Sequence, residues 1–224
     1  MKNLTFISLL FGALMFSTNA FSSELDSSEC KSKPIDKERS FTKNLEGVFN
    51  GKKLTYSASL KEKILYEKDD PSAPLASFFY SEYIVESNEN RPIMFVFNGG
   101  PGSASLWLHM GVLGPKVVKV PSDASDDGSA PYKIVDNKLS PLSETDMVFI
   151  DPVGTGYSRA AGCHEGSEFW GVSEDPKIIA EFIRRWITDS KRWNSPKYIL
   201  GESYGGIRGP LLVSELRSGD ITPI

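Results

Sequence analysis

Cysteine and histidine are the scarcest chemistry in this chain: its 224 residues contain two of each, Cys30 and Cys163, His109 and His164. Without a cluster of either type a structural zinc site has no ligand set, and no metal or other cofactor is expected. Basic residues are also in the minority, 25 Lys and Arg against 29 Asp and Glu, for a formal net charge of −4. No polybasic patch is present, so there is no electrostatic reason to expect nucleic acid or an anionic membrane as a partner. Long apolar runs are missing after the first twenty residues. Within those, Met1-Lys2 precede an apolar stretch from Leu4 to Phe16, and Thr18-Asn19-Ala20 offers small residues for cleavage. That reads as a secretory signal peptide over 1–20. The run is too short to span hydrocarbon comfortably, so the mature protein is expected to be soluble, secreted or periplasmic, with no membrane association once the signal is removed. An oxidising compartment permits a disulfide between Cys30 and Cys163. Spacing alone leaves pairing and two free thiols equally open.

The rest is ordinary globular sequence, 40% hydrophobic and 24% charged, and it changes character along its length. Residues 21–46 are polar, with a charge run at Lys31–Arg39, and read as a flexible lead-in to a domain over 47–224. From Gly47 to Tyr66 apolar and polar residues alternate at Leu54, Tyr56, Ala58 and Leu60, the period of a half-buried strand. Asn50-Gly51 is a hairpin signal, and Asp69-Asp70-Pro71 marks a turn before a second extended run, Ala76–Val85. This part predicts an antiparallel meander. Three short, wholly apolar runs follow, Ile93–Phe97, Met147–Ile150 and Tyr198–Leu200, each ending in a glycine-rich loop. Strands apolar on both faces suit a buried parallel sheet, and the carboxyl ends of such strands are where open α/β sheets place their sites. Between the last two runs, Ile178, Ile179, Phe182, Ile183, Trp186 and Ile187 form one helical stripe, with Asp175 as its expected cap and Pro176 at its first position. The fold class predicted is α/β, with antiparallel strands leading into a mostly parallel sheet.

Gly201-Glu202-Ser203-Tyr204-Gly205 fits the nucleophile elbow, a sharp strand-to-helix turn that lifts a serine above the sheet. It follows an apolar strand and precedes the apolar run Leu211–Leu216, the context that the motif requires. Asn98-Gly99-Gly100-Pro101-Gly102-Ser103 follows the first buried strand, and its backbone N–H groups could form one side of an oxyanion hole, the Tyr204 amide the other. It is not a P-loop, which would end in Gly-Lys-Ser or Gly-Lys-Thr, nor does it have the dinucleotide spacing. Asp123-x-Ser125-x-Asp127-Gly128 imitates half of a calcium loop, but its twelfth position is Ile134 rather than Glu, so it reads as a solvated loop.

Taken together, Asn98–Ser103, Asp151-Pro152-Val153-Gly154-Thr155-Gly156-Tyr157-Ser158 and Gly201–Gly206 resemble the three ordered signatures of the serine carboxypeptidases. The resemblance spans roughly residues 50 to 220, and the run Arg192–Tyr198 looks like a bacterial branch. It implies the amino-terminal part of an α/β-hydrolase fold and a peptidase that releases C-terminal residues through an acyl-enzyme. It further implies Ser203 as nucleophile, Gly100 and Tyr204 as the oxyanion-hole amides, and Asn98, Gly99 and Glu202 as the group that binds the free carboxylate of a peptide or protein C-terminus. Two carboxylates bind each other only by sharing a proton. The family commonly has tryptophan where this chain has Val96, and often cysteine where it has Ser103.

A serine hydroxyl also needs a base and a group to orient it, and in α/β-hydrolases both follow the serine in the chain. Here Glu215 and Asp220 follow Ser203, but no histidine does. His109 reads as a packing residue and His164 as exposed. The expectation is a fragment without the carboxyl-terminal strands, unstable or inactive in isolation. Rival readings are an esterase or acyltransferase on the same fold, and an inactive fragment that at most binds peptides.

Overall fold

In the computed structural model, which describes residues 35, 37–87, 90–121, 123, 125 and 129–218, Asn50 and Gly51 turn the chain with φ of 48° and 80°. Positive φ at both positions is the tight hairpin geometry that Asn-Gly favours. On either side, β1 (Ser40–Phe49) and β2 (Lys52–Tyr66) pair antiparallel from Phe49↔Lys52 to Ser40↔Lys61. Residues 40–46, expected in the lead-in, are therefore strand. Edge position explains the miss: most of β1 is exposed on both faces, so no alternation is written into it. The signal segment 1–20, Cys30 and most of the lead-in lie outside the described residues.

β3 (Pro74–Val85) completes the predicted meander against β2. β4 (Ile93–Phe97) is followed by a short α1 (Leu106–Leu108) that continues as a π turn over His109–Leu113. A small hairpin of β5 (Lys116–Val118) and β6 (Ile134–Asp136) precedes β7 (Asp146–Ile150). After the two-residue β8 (Arg159–Ala160) come α2 (Glu174–Asp189), β9 (Lys197–Gly201) and α3 (Gly205–Ser218). The main sheet runs β1-β2-β3-β7-β4-β9, with β8 added on β3. β7 is antiparallel to β3, whereas β7, β4 and β9 are mutually parallel. This is the expected mixed α/β sheet, antiparallel first and parallel after.

Alternate residues of the parallel strands feed two cores. Phe95, Phe97, Val148 and Ile150 pack with the α2 stripe and with Leu212 and Leu216 of α3, while Val96, Met147 and Phe149 pack with Leu108, Leu142 and Tyr56. All six residues of the predicted α2 stripe are buried. β9 departs from the expectation of a strand covered on both sides. It lies at the sheet edge, with Tyr198 exposed and Ile199 and Leu200 half-buried. Among the described residues no helix is long and apolar enough to cross a membrane.

One buried ionic cluster ties the starting ends of the parallel strands. The Asp146 carboxylate, at the head of β7, accepts from Val85 N at 3.0 Å, Arg91 Nε at 3.1 Å and Arg192 Nη1 at 2.9 Å. Arg192 also donates to the Arg91 carbonyl at 2.6 Å and to Ser195 Oγ at 2.7 Å. Three partners satisfy a carboxylate that is fully out of water, the condition under which a buried charge is tolerated.

His109 packs as expected. Its ring stacks on Phe149 with centroids 4.5 Å apart, and its Nε2 bonds the Tyr83 hydroxyl at 2.5 Å. Burial lowers its pKa from 6.5 to about 4. The unfolded chain thus binds the proton more readily, so this contribution to stability is complete above pH 6.5 and is lost as the pH falls toward 4. The loss amounts to about 3 kcal/mol at most. Urea midpoints measured from pH 7 to pH 4 should fall more steeply for the wild type than for His109→Gln, which keeps a polar partner for Tyr83 and cannot charge.

Candidate active site

β4 and β9 are parallel neighbours, so their loops leave the sheet at the same end. The ladder closes at Phe97↔Gly201 and continues one step through Glu202 N to the Phe97 carbonyl at 3.3 Å. Asn98 is thereby set beside Glu202, and the Asn98 Nδ2 donates to Glu202 Oε2 at 3.2 Å. The next residue, Gly99, packs directly on the elbow. A Cβ there would overlap Tyr204 N, come within 2.6 Å of the Glu202 carbonyl and meet Ser203 Cβ at 3.0 Å. Glycine is required by that approach rather than by its φ.

Ser203 has φ of 57° and an exposed side chain. A left-handed serine costs roughly 1–3 kcal/mol and persists only where its surroundings fix it. Here Gly205 N bonds the Glu202 carbonyl and Gly206 N the Ser203 carbonyl, both at 2.8 Å, starting α3 immediately after the turn. Gly201 lets the turn close, since a Cβ would press on Gly205 and on the Phe97 ring at 2.7 Å. The hydroxyl stands at the amino end of α3, where the helix dipole favours negative charge.

Asn98 is 2% exposed and held on three sides. Its Oδ1 accepts from Leu108 N at 3.0 Å, which leaves Nδ2 as the end facing Glu202. Its carbonyl accepts from Arg208 Nη1 at 2.7 Å. Gly100 follows with φ of 104°, close to the Gly102 and Ser103 amides. Val96, where tryptophan was the expected residue type, is fully buried in the core on the α1 side.

The Asp151–Ser158 segment supports this loop from β7. Asp151 Oδ1 accepts from Ser105 N at 2.8 Å, and burial pushes that carboxyl above its ordinary range. Gly156, φ 50°, leaves room for the carboxylate. The Ser158 hydroxyl donates to the Asp151 carbonyl at 2.7 Å and accepts from Phe79 N at 2.8 Å, fastening the segment to β3.

These three loops are the segments on which the family resemblance rests, and the comparison agrees with them. The family described as serine carboxypeptidase matches residues 66–221. The chain belongs to the serine carboxypeptidase family. It is similar to serine carboxypeptidase-like 5 of Arabidopsis thaliana, 32% identical over 145 residues, or 62% of this chain and 31% of that protein. Serine carboxypeptidase-like 9 of the same plant is 30% identical over 148 residues, 64% of this chain and 32% of the relative. The chain thus spans about a third of the length of the curated relatives it matches. These relatives are plant proteins and lend the bacterial branch no support.

Within this member of the family, the structure brings Asn98, Gly99, Glu202, Ser203 and Tyr204 together, with Gly100 next in line. Neither histidine joins them. His109 is committed to Tyr83, and His164, expected to be exposed, is half-buried, with Nδ1 2.8 Å from Glu168 and Nε2 2.9 Å from Glu67. Those carboxylates, Glu168 foremost, raise its pKa. The adjacent Cys163 is disulfide-bonded.

Sequence reasoning missed Asp175 and Arg208. Asp175 does not cap α2. Ser173 occupies the cap position without a side-chain capping bond, and Asp175 instead accepts from Arg208 Nε at 2.6 Å beneath the Asn98 loop. The available signal was a lone arginine in the small and apolar run Gly205-Gly206-Ile207-Arg208-Gly209.

The glycines provide a test. Gly99→Ala should destabilise by about 1–3 kcal/mol through overpacking. Gly206→Ala, whose Cβ meets nothing within 4 Å, should be neutral or stabilising by up to about 1 kcal/mol. Urea unfolding of the two variants in parallel measures the contrast.

Proposed function

We propose that this chain carries the nucleophile, oxyanion hole and carboxylate-recognition site of a serine carboxypeptidase acting on peptide C-termini. The observation that carries the reading is the hydrogen bond between Asn98 Nδ2 and Glu202 Oε2, adjoining a serine in elbow geometry. Ser203 Oγ attacks the scissile carbonyl, and the developing oxyanion is met by the Gly100 and Tyr204 amides. The substrate's terminal carboxylate takes the place beside Glu202. It accepts from Asn98 Nδ2 and the Gly99 N–H and shares one proton with the Glu202 carboxyl, since two ionised carboxylates would repel. The acyl-enzyme is then released by water. The general base and its orienting acid belong, in this reading, to residues beyond the third of the relatives' length that the chain matches. The signal-like segment 1–20 and the disulfide at Cys163 support export to an oxidising compartment.

The deciding experiment uses the full-length protein and matched peptides ending in a free carboxylate or an amide. The acid should be cleaved at least about tenfold faster in kcat/KM, the worth of one charge-assisted hydrogen bond. Equal hydrolysis of both favours an esterase or acyltransferase and sinks the exopeptidase reading. A fluorophosphonate should label Ser203, and Ser203→Ala should abolish labelling.

A further inference from the structure

Arg208 is the largest fully buried side chain of the described residues, 1% exposed. A guanidinium taken out of water is costly unless paired and hydrogen-bonded, and the partners it has chosen all belong to the site or its supports. Nε donates to Asp175 Oδ2 at 2.6 Å. That carboxylate stands in the first turn of α2, where the helix dipole favours negative charge. Nη1 donates to the main-chain carbonyl of Asn98 at 2.7 Å. The guanidinium carbon also lies 5.2 Å from the ring centroids of both Phe97 and Tyr204.

We propose that Arg208, anchored by Asp175, is a positioning residue that aims the Gly99 N–H and the Asn98 carboxamide at a terminal carboxylate. The argument begins with one peptide plane. The Asn98–Gly99 bond is trans, so its C=O and N–H point in opposite directions. Drawing the Asn98 carbonyl onto a buried guanidinium turns the Gly99 N–H away from the interior. The same bond holds the Asn98 backbone from below while Leu108 N holds its Oδ1 from the side. The carboxamide is left a single free direction, toward Glu202. Only a planar fork can do this, because Nε and Nη1 must serve Asp175 and Asn98 at once, whereas a lysine ammonium is a point donor. Asp175 adds the opposing charge that keeps the fork in place.

This assignment rests on the carboxylate-recognition reading, and the test separates the two. In the full-length protein carrying Ser203→Ala, so that nothing is turned over, binding of N-benzoyl amino acids (glycine, leucine, phenylalanine, lysine and glutamate) is compared with binding of their amides by calorimetry. The background protein should prefer the acids. Arg208→Lys should reduce the acid-over-amide preference about tenfold, the loss of one aligned charge-assisted hydrogen bond, and leave amide binding within about twofold. Asp175→Asn should act in the same direction. With glycine and asparagine labelled by nitrogen-15, the Gly99 amide and Asn98 carboxamide resonances should move in both variants while those of Gly51 and Gly111 stay. Absence of acid preference in the background protein defeats the recognition reading, and the Gly99 resonance then still judges the positioning role. A folded Arg208→Lys protein with the preference and the Gly99 resonance unchanged overturns the proposal. Unfolding of both variants also overturns it, reducing the pair to a determinant of the fold.

Discussion

No side chain fits at residue 99. The Asn98 loop and the elbow meet with glycine against the backbone of Glu202 and Tyr204, and every other feature of the site is arranged around that approach. Two loops can come this close only if their strands are adjacent, parallel and in a fixed register. The pairing Phe97↔Gly201 provides this, extended by the bond from Glu202 N to Phe97 O. A slip of one residue would take Gly99 off the Glu202 carbonyl and the Tyr204 amide and turn the core-facing side chains of β9 to the other face. Register is held at the far end of the strands as well. Asp146 binds Arg91, just before β4, and Arg192, just before β9.

Burial and pairing oppose each other at each of the ionic units. For Asp175 burial is the larger influence, raising its pKa against the opposing pull of Arg208. A structure seeking stability alone would do as well with apolar residues at such a place. What the pair achieves that leucine and methionine could not is direction: a guanidinium donates along fixed lines, and one of them ends on the Asn98 carbonyl. The Asp146 cluster is directional in the same sense, fixing three chain segments with one carboxylate. Glu82 differs. It is buried near the outer meander, between Lys61 at 2.5 Å and the Trp186 indole N–H at 2.8 Å, and it joins α2 to the sheet.

The parts of the fold legible in the sequence were those whose cause is local. The Asn50-Gly51 turn, the apolar stripe of α2, the three apolar strands and their glycine loops each carry their reason within a dozen residues. β1 was missed because an exposed edge strand has no buried face to write a period into it. Asp175 was misread because an acidic residue at the start of a helix is favoured by the local field whether or not it caps. Its true partner lies in another helix. The burial of β9 was overestimated for a related reason, since an apolar strand does not reveal which neighbours the described chain supplies. The family resemblance pointed to Asn98, Gly99 and Glu202, but nothing in the sequence pointed to the scaffold beneath them, because Arg208 reaches the Asn98 carbonyl through a tertiary contact.

The two halves of the proposed recognition site differ in rigidity, and that difference has chemical content. Asn98 is buried and bonded at its side-chain oxygen and its carbonyl, whereas Glu202 is exposed, with the Asn98 amide as a hydrogen-bond partner. A neutral, preorganised donor loses little when a carboxylate arrives, because it gives up no charge hydration and no rotamer freedom. Its bond to an ionised carboxylate is charge-assisted and stronger than its bond to an amide carbonyl, so aiming it correctly favours the acid. The buried ion pair accordingly lies under the asparagine, the partner whose contribution depends on being held in one direction.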